Sequence, residues 1–301
     1  MDEKDLPKAE GLIIKATGGF YYVRSGDTVY ECRARGVFRK NDQSPLVGDR
    51  VTISVLPKEK GYIYEIHERK NAMIRPPLAN LDQLVMVVSL AEPVPNLLVL
   101  DKLIAVAEHQ DVEPVIVFTK TDLEDPTPFA TIYRKAGFRV YEVCSLRHEG
   151  TDAVLQMLEG KISAFCGNSG AGKSSLLNDI FPELCLSTAE ISKKLGRGRH
   201  TTRHTELFEL KNGGWVADTP GFSAIEMERV EVIRKEALQY CFREFEPYEM
   251  KCQFTGCSHV SEKGCAILAA VKNGDISESR HKNYCTLYEE AKQLKEWELD
   301  K

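Results

Sequence analysis

The 301-residue sequence contains no apolar run approaching the roughly 20 residues that a membrane-spanning helix needs. It also lacks an excess of basic charge, since 40 Lys and Arg face 45 Asp and Glu for a formal net charge of -5. That balance excludes a general nucleic-acid coat, so any RNA contact must use local basic patches. The opening residues, Met1-Asp2-Glu3-Lys4-Asp5, lack the apolar segment of a signal peptide, so a cytoplasmic location is expected. Nine cysteines cannot all pair, and a reducing compartment disfavours disulfides. Internal repeats and low-complexity segments are absent as well.

What is present has two textures. Between 10 and 68, short apolar runs (Leu12-Ile13-Ile14, Phe20 to Val23, Val51 to Val55, Tyr62 to Ile66) alternate with turn signals such as Gly18-Gly19, Gly26-Asp27 and Gly48-Asp49. About five short strands in that space predict a Greek-key barrel of the OB type, with an SH3-like barrel as the competing pattern. From 82 onward the runs become continuous, as in strands buried on both faces: Leu84 to Val88, then Val115 to Phe118. Helical stretches at 97–109 and 129–136 alternate with them, and Arg139 to Val143, Ile162 to Cys166 and Trp215 to Ala217 continue the series. Such alternation predicts a mainly parallel sheet covered by helices. After about 225 the reading is helical, interrupted by a cysteine–histidine cluster.

Gly167-Asn168-Ser169-Gly170-Ala171-Gly172-Lys173-Ser174 matches G-x-x-x-x-G-K-S between a predicted strand and a helical stretch from Ser175 to Ile180. Glycines let successive N–H groups turn onto phosphate oxygens, and the helix N-terminus adds positive potential. Lys173 is expected to reach the β- and γ-phosphates and Ser174 to ligate Mg²⁺, with Ser175 beside them. Thr119-Lys120-Thr121-Asp122 follows the strand Val115 to Phe118 and fits a guanine-reading [N/T]-K-x-D loop. Asp122 would accept two hydrogen bonds from the N1–H and N2–H₂ edge of guanine, which adenine cannot supply. Cys144 and Ser145 close the next strand and are expected to add backbone contacts to the base.

Asp218-Thr219-Pro220-Gly221 follows the strand Trp215 to Ala217. A carboxylate there can hold Mg²⁺ through water, and Gly221 can bring its N–H close to a γ-phosphate. Gly196-Arg197-Gly198-Arg199-His200-Thr201-Thr202-Arg203-His204 reads as a loop that orders over the γ-phosphate, with Thr202 completing the Mg²⁺ shell. The base-reading motif thus precedes the phosphate loop, which precedes both switches. This is a circular permutation of the usual GTPase order. The end of the second switch then leads directly into the C-terminal segment, so switch motion is expected to pass mechanically to residues after 225. Cys252-x4-Cys257-x-His259-x5-Cys265 supplies three thiolates and one imidazole, a donor set for a closed structural Zn²⁺ site.

With these motifs in hand, the chain resembles the RsgA (YjeQ/YloQ) family of ribosome-dependent GTPases over nearly its whole length. The resemblance implies an OB-fold RNA-binding domain at 1–69, a circularly permuted GTPase domain at 70–224 and a zinc-binding helical domain at 225–301. It also implies binding to the small ribosomal subunit and its rRNA late in assembly, stimulated GTP hydrolysis to GDP and phosphate, and release afterwards. A monomer is expected. Many GTPases place a water-positioning glutamine after D-x-x-G, but Phe222 stands there. His200 is therefore the candidate to position the attacking water, with Lys173 and Thr202 beside the phosphates. Arg197 and Arg199 can stabilise transition-state charge or bind RNA. Lys193, Lys194, Arg197, Arg199 and Arg203, and in the barrel Arg33, Arg35, Arg39 and Lys40, are the basic groups available to rRNA. The alternatives are a GTPase switch with a different partner and an RNA-binding protein with a decayed nucleotide site. Intact Lys173, Ser174, Asp122 and Asp218 oppose the second, and Asp122 opposes an ATPase.

Overall fold

The computed structural model describes residues 6–36, 38, 44–73, 77–181, 205–218 and 233–294. The strands are β1 (Lys8–Thr17), β2 (Phe20–Ser25), β3 (Thr28–Ala34), β4 (Arg50–Leu56), β5 (Lys60–Ile66), β6 (Ala72–Met73), β7 (Leu78–Ala79), β8 (Gln83–Ser89), β9 (Glu113–Thr119), β10 (Arg139–Val143), β11 (Ile162–Cys166), β12 (Glu206–Glu209) and β13 (Trp215–Asp218). The helices are α1 (Leu97–His109), α2 (Thr127–Lys135), α3 (Thr151–Met157), α4 (Lys173–Ile180), α5 (Lys235–Leu238), α6 (Ala266–Lys272) and α7 (Glu278–Lys292). Packing groups the described residues into two compact units. One draws on Met1–Gln83, Leu155–Phe165 and Cys185–Phe222, the other on Leu84–Val154, Cys166–Leu184 and Ser223–Lys301.

In the first unit, strands pair in the order β1-β2-β3-β5-β4 and β4 returns to β1, closing a barrel. The β3–β5 pair is parallel and the rest are antiparallel. This is the OB arrangement, and it sets aside the SH3-like alternative. Alternation accounts for the core: Ile13, Val23, Cys32, Val51, Ile53 and Ile63 are fully buried, while neighbours such as Arg33 and Tyr62 face out. β1 is shared between two partners. It pairs with β4 as far as Leu12, then passes a register shift between Ile13 and Lys15 and pairs Lys15 with Glu206 of β12. Lys15 Nζ also lies 2.8 Å from the Glu206 carboxylate, and Arg24 pairs with Glu209. β12 runs antiparallel to β13, and β13 runs parallel to β11. After the barrel, Arg69 holds the buried Asp49 carboxylate at 2.7 Å.

In the second unit, β10, β9 and β8 lie in that order, and β10 runs parallel to β9 with Val143 opposite Thr119. Val115 to Phe118 are fully buried, as their unbroken apolar run requires. α1 begins at Asn96, whose side chain accepts from Leu98 N–H at 3.1 Å and Val99 N–H at 3.3 Å. The C-terminal segment is less regular than a helical reading expects. α5 gives way to 3₁₀ turns at Gln239–Cys241 and Arg243–Tyr248, and a loop carries the chain to α6. Phe242, Phe245, Ile267, Ile276 and Tyr284 form its core together with Ala105 of α1.

Beside that core lies a buried ionic cluster. Arg280 of α7 donates to Asp101 of α1 at 2.7 Å and to Glu244 at 2.7 and 3.1 Å. Tyr133 and Asn283 also donate to Asp101, at 2.9 and 2.6 Å. The rings of Phe242, Phe138 and Tyr133 lie around the guanidinium. Burial pushes the Asp101 carboxyl above its usual value against the opposing pull of Arg280.

Candidate functional site

The phosphate loop leaves β11 at Cys166 and enters α4 at Lys173. Gly167 has φ 148°, and a Cβ there would stand 2.2 Å from the Val87 carbonyl oxygen, so a side chain has no place. Gly172, left-handed at φ 89°, caps α4 without a side chain that could compete for its first-turn N–H groups. Uncapped first-turn donors of this kind can receive an anion. Lys173 folds back onto the loop, donating to Gly167 O and, at 3.3 Å, to Asn168 O. Burial holds its ammonium below the usual lysine value. Asn168, Ser169, Gly170 and Ala171 form the turn between these points, where Ala171 N–H donates to Asn168 O at 3.2 Å.

The base-reading loop is tied to this turn directly. Thr119 Oγ1 donates to Ala171 O at 2.6 Å. Lys120 takes a left-handed φ of 60° and donates through Nζ to Glu92 O. Asp122 accepts from the Cys144 thiol at 3.3 Å. The Cys144 N–H donates to Glu149 O at 3.0 Å, so its backbone donor is engaged inside its own turn. Leu123 and Leu146, 61% and 84% exposed, adjoin Asp122 and Ser145 and carry no motif signal.

Ser174 lies in the first turn of α4 and Ser175 comes directly after it. The Ser174 hydroxyl is a hard oxygen donor of the kind Mg²⁺ prefers. Asp218 ends β13, at the strand terminus its motif predicts. Gly221, His200 and Thr202, with Arg197, Arg199 and Phe222, lie outside the described residues.

Cys252, Cys257, His259 and Cys265 converge, with all four donor atoms within 4.8 Å of one another. His259 Nδ1 lies 3.6 Å from Cys252 Sγ and 3.4 Å from Cys265 Sγ, and the two sulfurs are 3.8 Å apart. A tetrahedron with Zn–S near 2.3 Å and Zn–N near 2.05 Å has S–S edges of about 3.8 Å and S–N edges of about 3.6 Å. The donors thus fit a closed Zn²⁺ site. Burial pushes the Cys257 thiol up to about 12, so a cation is what makes thiolates favourable there. His259 Nε2–H donates to Gln239 Oε1 at 2.9 Å, which leaves Nδ1 for the metal. Glu262 gathers the N–H groups of Ser258, Val260 and Ser261 at 2.8 to 3.0 Å and holds the loop between the ligands. Gln239 and Glu262 also lie outside any motif.

Two families match the chain: "RsgA N-terminal domain" over residues 10–63 and "RsgA GTPase" over residues 66–228. A "Small ribosomal subunit biogenesis GTPase RsgA" from Geobacillus sp. (strain WCH70) is 46% identical over 293 residues, covering 95% of this chain and 99% of the relative. The Bacillus anthracis protein of the same name is 44% identical over 292 residues, covering 95% and 98%. Among solved structures, YjeQ from Thermotoga maritima has a TM-score of 0.82 at 31% identity, covering 96% of this chain and 100% of that one. YloQ, described as a circularly permuted GTPase, has a TM-score of 0.79 at 37% identity and 96% coverage of both chains.

Proposed function

The chain belongs to the RsgA family of GTPases, and from that premise we propose that it binds the small ribosomal subunit late in assembly and is stimulated there to hydrolyse GTP. As a member of that family it is a GTPase, a hydrolase acting on GTP. The likeness to small-subunit biogenesis GTPases supports the partner, and the observation that supports the nucleotide site is the 2.6 Å hydrogen bond from Thr119 to Ala171, which joins the base-reading loop to the phosphate loop. The two loops are 52 residues apart in reversed motif order, and their direct contact supports reading them as one nucleotide site.

In this reading Asp122 selects guanine, and Leu123 and Leu146 offer apolar surface beside the ring. Gly167 to Ser175 hold the phosphates, and Lys173 turns from the loop carbonyls to the β- and γ-oxygens. Mg²⁺ would be held through Ser174, Thr202 and Asp218, where it would neutralise phosphate charge. Gly221 donates its N–H to the γ-phosphate. Phe222 cannot orient water, so His200 does, and unstimulated hydrolysis is slow. GDP and phosphate then leave a complex that no longer holds the subunit.

The barrel supports an rRNA partner. Phe20, Arg33 and Tyr62 form one cross-strand row on its outer face. Arg33 lies 4.7 Å from the Phe20 ring centroid, and Lys8 lies 3.6 Å from that of Tyr64. Rings and cations together suit stacked bases and backbone phosphates. Arg39 and Lys40 lie outside the described residues. Zn²⁺ on Cys252, Cys257, His259 and Cys265 is structural. Among the described residues no helix is long and apolar enough to cross a membrane. A cytoplasmic monomer completes the proposal.

The test is GTP hydrolysis alone, with purified small subunits, and with large subunits or ATP as controls. Stimulation by small subunits alone is expected, and turnover indifferent to ribosomes would overturn the partner. His200→Ala should retain GTP binding and lose the stimulation.

A further inference from the structure

We infer that His148 is a positioning residue for the bound nucleotide: its imidazole latches the turn after β10 onto the helix that follows the phosphate loop, and so sets how fast the nucleotide leaves. The inference rests on the reading of the two loops as one guanine-nucleotide site. Three observations converge. His148 Nδ1 contacts Oδ1 of Asp179, which lies near the end of α4, the helix that begins at Lys173. The His148 side chain is 76% exposed and that of Asp179 only 10%, and Asp179 Oδ2 is buried with no partner among the described residues. The carboxylate thus leans on His148 for its polar contact. His148 also holds a left-handed φ of 54°, which residues other than glycine seldom adopt. It does so inside a turn that its own backbone closes, with Cys144 N–H on Glu149 O at 3.0 Å and Glu149 N–H on Cys144 O at 3.1 Å. Glycine would take that conformation without strain, so the turn does not ask for a histidine; the contact with Asp179 does.

The placement gives this contact a consequence. Ser145 shares the turn with His148, and Lys173 and Ser174 open the helix that carries Asp179. The base side and the phosphate side are therefore joined twice, in the interior by Thr119 on Ala171 at 2.6 Å and at the surface by His148 on Asp179. An exposed pair holds weakly and opens often. Opening it frees the turn from the helix and loosens the grip on the base, while the interior bond and the phosphate contacts stay. Removing the latch should thus speed departure of the nucleotide and leave its arrival nearly unchanged, as is usual among variants of one binding site.

The test follows release of a fluorescent GDP analogue, chased with excess GDP, from the full chain as wild type, His148→Gly, Asp179→Leu and the double variant. Gly suits the left-handed backbone and deletes only the side chain, so it separates the latch from the turn. Leu keeps most of the volume of the carboxylate and needs no partner; should it fail to fold, Asp179→Asn takes its place. Each single variant is expected to release the nucleotide about two- to fivefold faster, the size expected of an exposed ion pair. The double variant should be no faster than the single ones, because both remove the same contact. Unchanged release from His148→Gly, or a double variant whose acceleration is the product of the single ones, would overturn the latch. Faster release with an equal fall in the association rate would show a distorted fold and overturn it as well. A wild type that binds no guanine nucleotide would instead remove the site itself, and the latch with it.

Discussion

Replacing Arg280 by Met removes the cation that two buried carboxylates share. Arg280 and Asp101 are each 1% exposed, and Glu244 is 9% exposed. Removing one partner of a buried ion pair costs about 3–5 kcal/mol, because the remaining charge is left unpaired. Tyr133 and Asn283 still donate to Asp101, which places the expected loss toward the lower end. For a chain of this size that corresponds to a fall in Tm of about 6–15 °C. The loss should also depend on pH. Burial raises the Asp101 carboxyl on folding, so its favourable contribution is complete below its unfolded pKa and fades as pH rises through the folded one. Arg280 opposes that rise in the native protein, and without it the carboxyl moves higher still. The deficit should therefore be largest near neutral pH and shrink toward about pH 4. Urea unfolding of wild type and Arg280→Met at both pH values measures this. A loss under about 1 kcal/mol, or one equal at both pH values, would refute the picture of a buried charge cluster.

Gln239→Leu removes the acceptor of His259 Nε2–H and should weaken Zn²⁺ binding about 10- to 100-fold in a chelator competition, with no change in the four ligands. Gly167→Ala drives a Cβ into the Val87 carbonyl, so nucleotide binding should be lost by fluorescence titration before any catalytic step is reached.

The phosphate loop was legible because its chemistry leaves few alternatives. Gly167 and Gly172 both occupy positive φ, and Gly167 also faces a carbonyl at contact distance. The convergence of Cys252, Cys257, His259 and Cys265 was legible as a donor set, although their spacing differs from the commonest fingers. The barrel strands came from alternation, but the choice between OB and SH3-like did not. That choice rests on the parallel pairing of β3 with β5, a long-range contact that local pattern does not encode. The C-terminal segment read as helix because apolar and charged residues recur there. In the structure, Pro247 lies in a 3₁₀ turn, and residues 252–265 form a loop on which the four cysteine and histidine donors converge. Arg280 was the least legible residue. A basic side chain in a charged helix looks like surface, and its carboxylate partners lie 36 and 179 residues away.

Motif order alone suggests a lever, since the second switch runs directly into the C-terminal segment. The contacts of that segment point to an anchor on α1 and β9 as well. Arg280 binds Asp101, Lys102 of α1 pairs with Glu290 of α7 at 2.9 Å, and Arg243 binds Glu113 at 2.6 Å and also pairs with Glu108. Detaching α7 would break the Arg280 ion pairs and uncover the apolar core around Phe242 and Tyr284. A ligand shifts a conformational equilibrium only by its differential affinity for the two states, so GTP would have to supply that difference. Amide hydrogen exchange across Glu278–Lys292 should accordingly be the same with GDP and with a non-hydrolysable GTP analogue. Exchange that accelerates throughout α7 in one nucleotide state would show the anchor released, and the lever expected from motif order would then be the better account.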